Sequence, residues 1–147
     1  MIHQSRLFLV VGLLLPLVVA GCGKKDGVGT VRGMVTYRGS PVQNALVVFM
    51  PETPGLLPAS GLTDSNGRYE LMTSVKGDGA SVGNHRVTVT ARGPDKGRSD
   101  ATVDPLGIGG EPGDPLIPID YFMPDTSGLT AEVKPGVNTV DFALTDR

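Results

Sequence analysis

Val87, Val89 and Ala91 alternate with Arg86, Thr88 and Thr90, and the same period of two runs through the apolar stretches that follow residue 30. A period of two sends successive side chains to opposite faces of an extended chain, whereas a helix needs apolar residues three and four apart. Beyond the N-terminal region no uninterrupted segment offers three turns of amphipathic helix. Half-apolar strands bury their faces only against a second sheet, so the expected fold is all-β, a Greek-key sandwich of about seven strands.

The first strand is expected over about Thr30 to Arg38, with Val31, Gly33, Val35 and Tyr37 on one face, and Gly39-Ser-Pro41 ends it. Asn44 to Met50 is almost continuously apolar, as a central strand requires, with Pro51 closing it and Pro54, Gly55 and Pro58 making a surface excursion. Leu62-Thr-Asp-Ser-Asn-Gly67 reads as a turn, because Asp64 and Asn66 can bond nearby amides and Gly67 can take positive φ; it feeds a strand carrying Tyr69, Leu71 and Thr73. Further strands are expected at Gly83 to Ala91, Leu129 to Val133 and Asn138 to Thr145, the last two joined by Lys134-Pro-Gly-Val137. Eleven of the twenty-six residues from Gly93 to Pro118 are glycine or proline, which predicts a long loop rather than a strand.

Composition narrows the chemistry. The 147 residues suffice for one domain, and the net charge of −2, with acids and bases interspersed, gives no basic surface for nucleic acid. A single cysteine excludes an internal disulfide framework and any multi-cysteine zinc or iron–sulfur site.

That cysteine, Cys22, stands where an apolar run stops. His3 and Arg6 precede Leu7 to Ala20, whose apolar run is interrupted only by Gly12 and Pro16. As a helix the run reaches about 21 Å, short of the hydrocarbon core of about 30 Å, which fits a cleaved secretory signal better than a spanning helix. Val19-Ala-Gly-Cys22 resembles the lipobox of bacterial lipoproteins. The resemblance implies cleavage between Gly21 and Cys22, a diacylglycerol thioether on the Cys22 sulfur and an acylated new N-terminus. Two or three acyl chains anchor a protein stably without a spanning helix. The alternative is that Cys22 is an ordinary small residue after a conventional cleavage site. The chain is thus expected to divide into a signal peptide at 1–21, a tether at 22–29 and a sandwich at 30–147 with its long loop at 93–118. Gly23 after the cysteine, in place of the aspartate that retains many lipoproteins in the inner membrane, points to the outer membrane.

Within the sandwich, Val31-Arg-Gly-Met-Val35, Gly39-Ser-Pro-Val42 and Ala45-Leu-Val-Val-Phe49 resemble the opening strands of the carboxypeptidase regulatory-like, or transthyretin-like, domain. Thr63-Asp-Ser-Asn-Gly-Arg-Tyr69 and Gly83-Asn-His-Arg-Val-Thr-Val89 resemble its third and fourth strands, and Tyr121 to Val133 and Gly136 to Phe142 the end of its small lipid-anchored bacterial members. The resemblance implies a prealbumin-like sandwich used as an accessory module for protein contacts, without catalytic residues.

Four features invite sharper chemistry. Tyr37-Arg-Gly-Ser40 matches the tetrapeptide that ends transthyretin-like hydroxyisourate hydrolases, but here it follows the first strand, Leu144-Thr-Asp-Arg147 stands at the C-terminal position, and the expected mature N-terminus, where those enzymes need a histidine and an arginine, is a tether. Asp64-Ser-Asn66 could be half of a calcium loop, yet no bidentate glutamate follows at the required spacing, so an Asx turn is expected. Glu111, Asp114 and Asp120 converge by no predictable spacing, and no metal or cofactor is assigned to them. His85 could serve a hydrolytic triad with Ser81, but no Gly-x-Ser-x-Gly elbow exists, and a histidine at a strand start or on the surface is expected. Tyr121 and Phe122 are expected to plug one end of the sandwich.

The expected function is therefore a noncatalytic, lipid-anchored cell-envelope module that contacts a protein or a surface polymer. The alternative is a small-ligand or metal-binding carrier using residues 93–118 as a lid. Replacing Cys22 by serine should abolish incorporation of labelled palmitate and release the protein from membranes; undiminished labelling would refute the anchor.

Overall fold

A computed structural model describes residues 27–75, 77–94 and 112–146. The expected signal peptide, the cleavage site between Gly21 and Cys22, and Cys22 itself lie outside the described residues, as do Glu111 and most of the Gly/Pro-rich loop.

The chain is an all-β sandwich that visits its two sheets in pairs. Strands β1 (Val28–Tyr37) and β2 (Ser40–Pro41) open the first sheet, and β3 (Leu46–Pro51) and β4 (Ala59–Leu62) the second. Strands β5 (Arg68–Glu70) and β6 (Ala80–Ser81) return to the first, and β7 (Gly83–Thr90) and β8 (Leu129–Val133) to the second. Strands β9 (Gly136–Thr139) and β10 (Phe142–Leu144) complete the first sheet. The second sheet is antiparallel in the order β4-β3-β7-β8. Among the described residues no helix is long and apolar enough to cross a membrane.

The first sheet is organised around β1, whose residues find partners along both edges. On one edge β6, β5 and β2 pair antiparallel with it in turn, at Val28–Gly29, Arg32–Met34 and Thr36–Tyr37. Along the other, β9 and β10 run parallel to it, Gly29 facing Gly136 and Val35 facing Phe142. The same register continues through both, so they form one strand interrupted at Val140 and Asp141. Even there the ladder persists, because Val140 N–H donates to Arg32 C=O at 2.9 Å and Asp141 Oδ1 accepts from Met34 N–H at 2.8 Å. A parallel partner from the far end of the sequence was not expected from the strand pattern.

Three boundaries differ from expectation. Strand β1 starts at Val28, so the last two residues of the expected tether are already paired, and Gly29 is buried. Strand β4 occupies the stretch between the expected excursion and the expected turn, where no strand was assigned, and its Ser60 exchanges backbone hydrogen bonds with Met72 (2.8 and 2.9 Å), which joins the two sheets along one side. The two ends of the long loop pair with each other: Gly93 N–H donates to Asp114 C=O at 2.8 Å and Leu116 N–H to Ala91 C=O at 3.0 Å.

The inward residues make one core. Val31 and Val35 of β1, Val47 and Phe49 of β3, Val87 and Val89 of β7, Leu71 and Leu144 are all essentially inaccessible. Phe49 meets Phe142 edge-on at 6.1 Å, and Phe142 stacks with Tyr69 at 6.4 Å. Each large apolar side chain buried here contributes about 1.5–3 kcal/mol. Tyr121 plugs one end as expected, its hydroxyl donating to Thr145 C=O (3.1 Å) and accepting from Thr145 N–H (3.2 Å).

Tyr69 ties the core to the interrupted strand, because its hydroxyl donates to Val140 C=O at 2.6 Å. Burial first, and then the Asp141 carboxylate, push this phenol well above its ordinary range. The bond exists because Gly33 stands between them without a side chain: a Cβ there would lie 1.7 Å from Val140 O and 3.1 Å from the Tyr69 ring. Backbone cannot yield that far without breaking the parallel ladder. Gly33→Ala should therefore destabilise the protein by about 3 kcal/mol or more, beyond the usual range for adding one methyl group. Urea unfolding measures this, and a loss no larger than that of an ordinary surface substitution would contradict the close approach.

Candidate functional site

A broad concavity lies where β1 ends. Its volume is about 630 Å³, and its walls come from the hairpin after β1, the corner before β3 and the two paired ends of the long loop. Tyr37, Gln43, Asn44, Arg92 and Leu116 are the side chains that give it character.

The local sequence explains each wall. Arg38 and Gly39 both take positive φ, 50° and 80°, which is the two-residue turn whose twist suits a tight hairpin, and it lets Ser40 face Tyr37. Asn44 takes positive φ as well, 55°, in the corner that redirects the chain to the second sheet. Buried Thr63 fixes that corner, because its hydroxyl donates to Val42 C=O at 2.6 Å and accepts from Ala45 N–H at 2.8 Å. Arg92 lies over the Phe122 ring at 5.0 Å and donates to Gly113 C=O at 3.3 Å, so its guanidinium is held rather than trailing in solvent.

Behind Tyr37 lies a charged clip. The Arg38 guanidinium grips the Asp146 carboxylate through Nε and Nη2 at 2.8–3.1 Å, and the Tyr37 hydroxyl donates to the same carboxylate. The hydrogen bond from Tyr37, then that from Arg38, holds Asp146 below the ordinary carboxylate range. The same bond to Asp146 raises the Tyr37 phenol. The tetrapeptide Tyr37-Arg-Gly-Ser40 is thus a hairpin that clamps the C-terminal segment, which gives its residues a structural role.

The other candidates are dispersed. Asp64 forms the expected Asx turn, its Oδ1 accepting from Asn66 N–H (2.8 Å) and Arg68 N–H (2.9 Å), while Gly67 takes φ 74°. Asp114 and Asp120 stay apart, and among the described residues no three of His, Cys, Asp and Glu come together in a way that could hold a metal ion. His85 stands near the start of β7, as one of the two expectations had it, but not on the surface: it is 1% exposed, its ring packs against Phe49 at 5.7 Å, and Nε2 lies 2.7 Å from Ser81 C=O. The strand parity that pairs it with Val87 on the inward face prevailed over its polarity. Gln43, Asn44 and Arg92 escaped the sequence reading, because nothing in their spacing announces that the corner and the loop ends meet.

A second trough, of about 480 Å³, runs over the outer face of the first sheet above Gly33, where Arg32, Arg68 and Glu70 project. It mixes both signs of charge.

The fold defines an all-β sandwich domain. No family model matches the chain, and none of the curated proteins compared with it does. Among solved structures it is similar to a DUF3823 family protein from Parabacteroides merdae, at 16% identity and a TM-score of 0.41, over 82% of this chain and 47% of that one. It is also similar to the dioxygenase domain of a dioxygenase carbohydrate-binding protein fusion from the cellulolytic bacterium Streptomyces sp. SirexAA-E, at 20% identity and a TM-score of 0.37, over 86% of this chain and 84% of that one. The chain spans less than half the length of the first structure. At these values neither likeness bears on function.

The clip makes a spectroscopic prediction. Asp146→Asn removes the anionic acceptor that raises Tyr37, so the Tyr37 phenol should titrate lower than in the parent protein, followed by NMR of the ring carbons. An unchanged Tyr37 titration would show that the clip does not form.

Proposed function

We propose that this chain is a noncatalytic, lipid-anchored module of the bacterial cell envelope, a sandwich of the carboxypeptidase regulatory-like kind. In this reading acylated Cys22 holds one end of the domain at the membrane, with the outer membrane favoured by Gly23, and the cleft beside Tyr37 engages another protein or a surface polymer.

The observation that carries the reading is the run of β1. The strand leaves the tether at Val28 and ends at Tyr37 in the wall of the cleft. Ten residues at about 3.3 Å each separate the two ends by about 30 Å. An anchor at Cys22 would thus leave the cleft at the end of the domain remote from the membrane. The cleft suits contact rather than turnover, since it offers an aromatic ring, two amide side chains and a stacked guanidinium but, among the described residues, no nucleophile paired with a base. Tyrosine and a held arginine are the side chains that contribute most per residue at contact surfaces.

A photo-crosslinking residue at position 43, introduced into the full-length lipidated protein in intact cells, should capture a specific adduct that the same probe at Thr130 does not. Arg92→Ala should diminish that adduct. Equal capture at both positions, or none at position 43, would overturn the assignment of the cleft.

A further inference from the structure

At the opposite end of β1 lies a cleft of about 330 Å³ whose lining is mostly apolar, formed by Gly27, Val28, Leu56, Leu57, Thr73 and Ser81 among others. Three large aliphatic side chains in and beside it are unusually open to solvent: Leu56 at 44%, Leu57 at 63% and Val75 at 68%. Leu56 and Leu57 sit in the turn after β3, which Gly55 permits by taking φ 85°. Val75 sits in a neighbouring turn organised by Asp78, whose carboxylate accepts from the backbone N–H groups of Thr73, Ser74 and Val75 at 2.6–2.9 Å. That carboxylate is thereby turned onto the backbone rather than outward over the leucines. One polar atom inside the cleft lacks a hydrogen-bond partner among the described residues: Ser81 Oγ, on a residue only 9% exposed.

We infer that this cleft and its leucines form a membrane-docking surface, seated on the interfacial region of the bilayer that holds the anchor. The inference rests on the lipidation of Cys22 proposed above. Its geometric basis is the length of the tether. Gly27 lines the cleft, and five residue steps separate it from Cys22, so the Cα of Gly27 stands at most about 18 Å from that of the acylated residue. The surfaces at this end of β1, the apolar cleft among them, are therefore held close to the anchor. Aliphatic side chains presented there partition into the boundary between headgroups and acyl chains, and their burial adds to the hold of the anchor.

The test uses the full-length lipidated protein in vesicles of phosphatidylethanolamine and phosphatidylglycerol containing a doxyl-labelled lipid. The sulfur of Cys22 is consumed by its thioether, so Leu57→Cys and Gln43→Cys each supply one thiol for an environment-sensitive NBD fluorophore. The probe at position 57 should be blue-shifted and quenched several-fold more strongly than the probe at position 43. Adding Leu56→Asp should reduce quenching at position 57 while the protein stays bound to the vesicles. Mass spectrometry of the same sample separates the two ways of failing. Unacylated, unbound protein would remove the anchor and this surface with it. Acylated, bound protein with equal quenching at both positions would overturn the docking surface alone, as would quenching indifferent to Leu56→Asp, which would reflect tethering without insertion. A concentration-dependent blue shift without quenching would assign the leucines to a second copy of the chain and likewise overturn the proposal.

Discussion

The absence of a side chain at Gly33 is the constraint on which the rest of the sandwich depends. Only a bare backbone at that point lets the interrupted strand of β9 and β10 lie against β1, and only that approach brings Val140 C=O to the Tyr69 hydroxyl. Tyr69 in turn stacks on Phe142, which meets Phe49 of the opposite sheet. One glycine therefore connects the hydrogen-bond ladder of the first sheet to the aromatic packing between the sheets. A strand with both edges occupied has no register freedom, so β1 is a rigid rod with one end at the tether and the other at the cleft.

That rod separates two surfaces of different character. Near Gly27 the exposed residues are aliphatic, on turns stabilised by their own backbone and by Asp78. Near Tyr37 the exposed groups are an aromatic ring, amides and a guanidinium stacked on Phe122. The leucines of the first surface and Gln43 and Asn44 of the second lie outside the core, whereas Tyr37 packs against it, so the second surface is the more firmly built into the fold.

Much of the architecture was legible in the alternation of apolar residues. Leu129–Val133 forms a strand within the expected bounds, and the inward faces of β1, β5 and β7 are those the period of two assigns. Strand β4 was not legible, because its Ser60 and Gly61 carry no apolar signal. Gly61 is there for space, since a Cβ would lie 2.4 Å from Glu70 O. The parallel pairing of β1 with the C-terminal strand was hidden for a different reason: nothing local encodes a partner so distant in sequence. His85 shows parity and polarity in conflict, with parity prevailing because the ring finds Ser81 C=O in the interior. The cleft was invisible for the same reason as the parallel strand, as its walls come from segments that only the tertiary fold brings together.

The place of β9 and β10 in the sheet has a consequence for the order of events during synthesis. The strand that completes the first sheet is made after all the other strands of the domain, yet it pairs directly with the first of them. Contacts of such long sequence separation form slowly, and until they form the parallel edge of β1 stays open and the core stays accessible. The domain cannot close around a partial chain. The sandwich would thus stay open until β9 and β10 are available to it, however much of the rest has already formed.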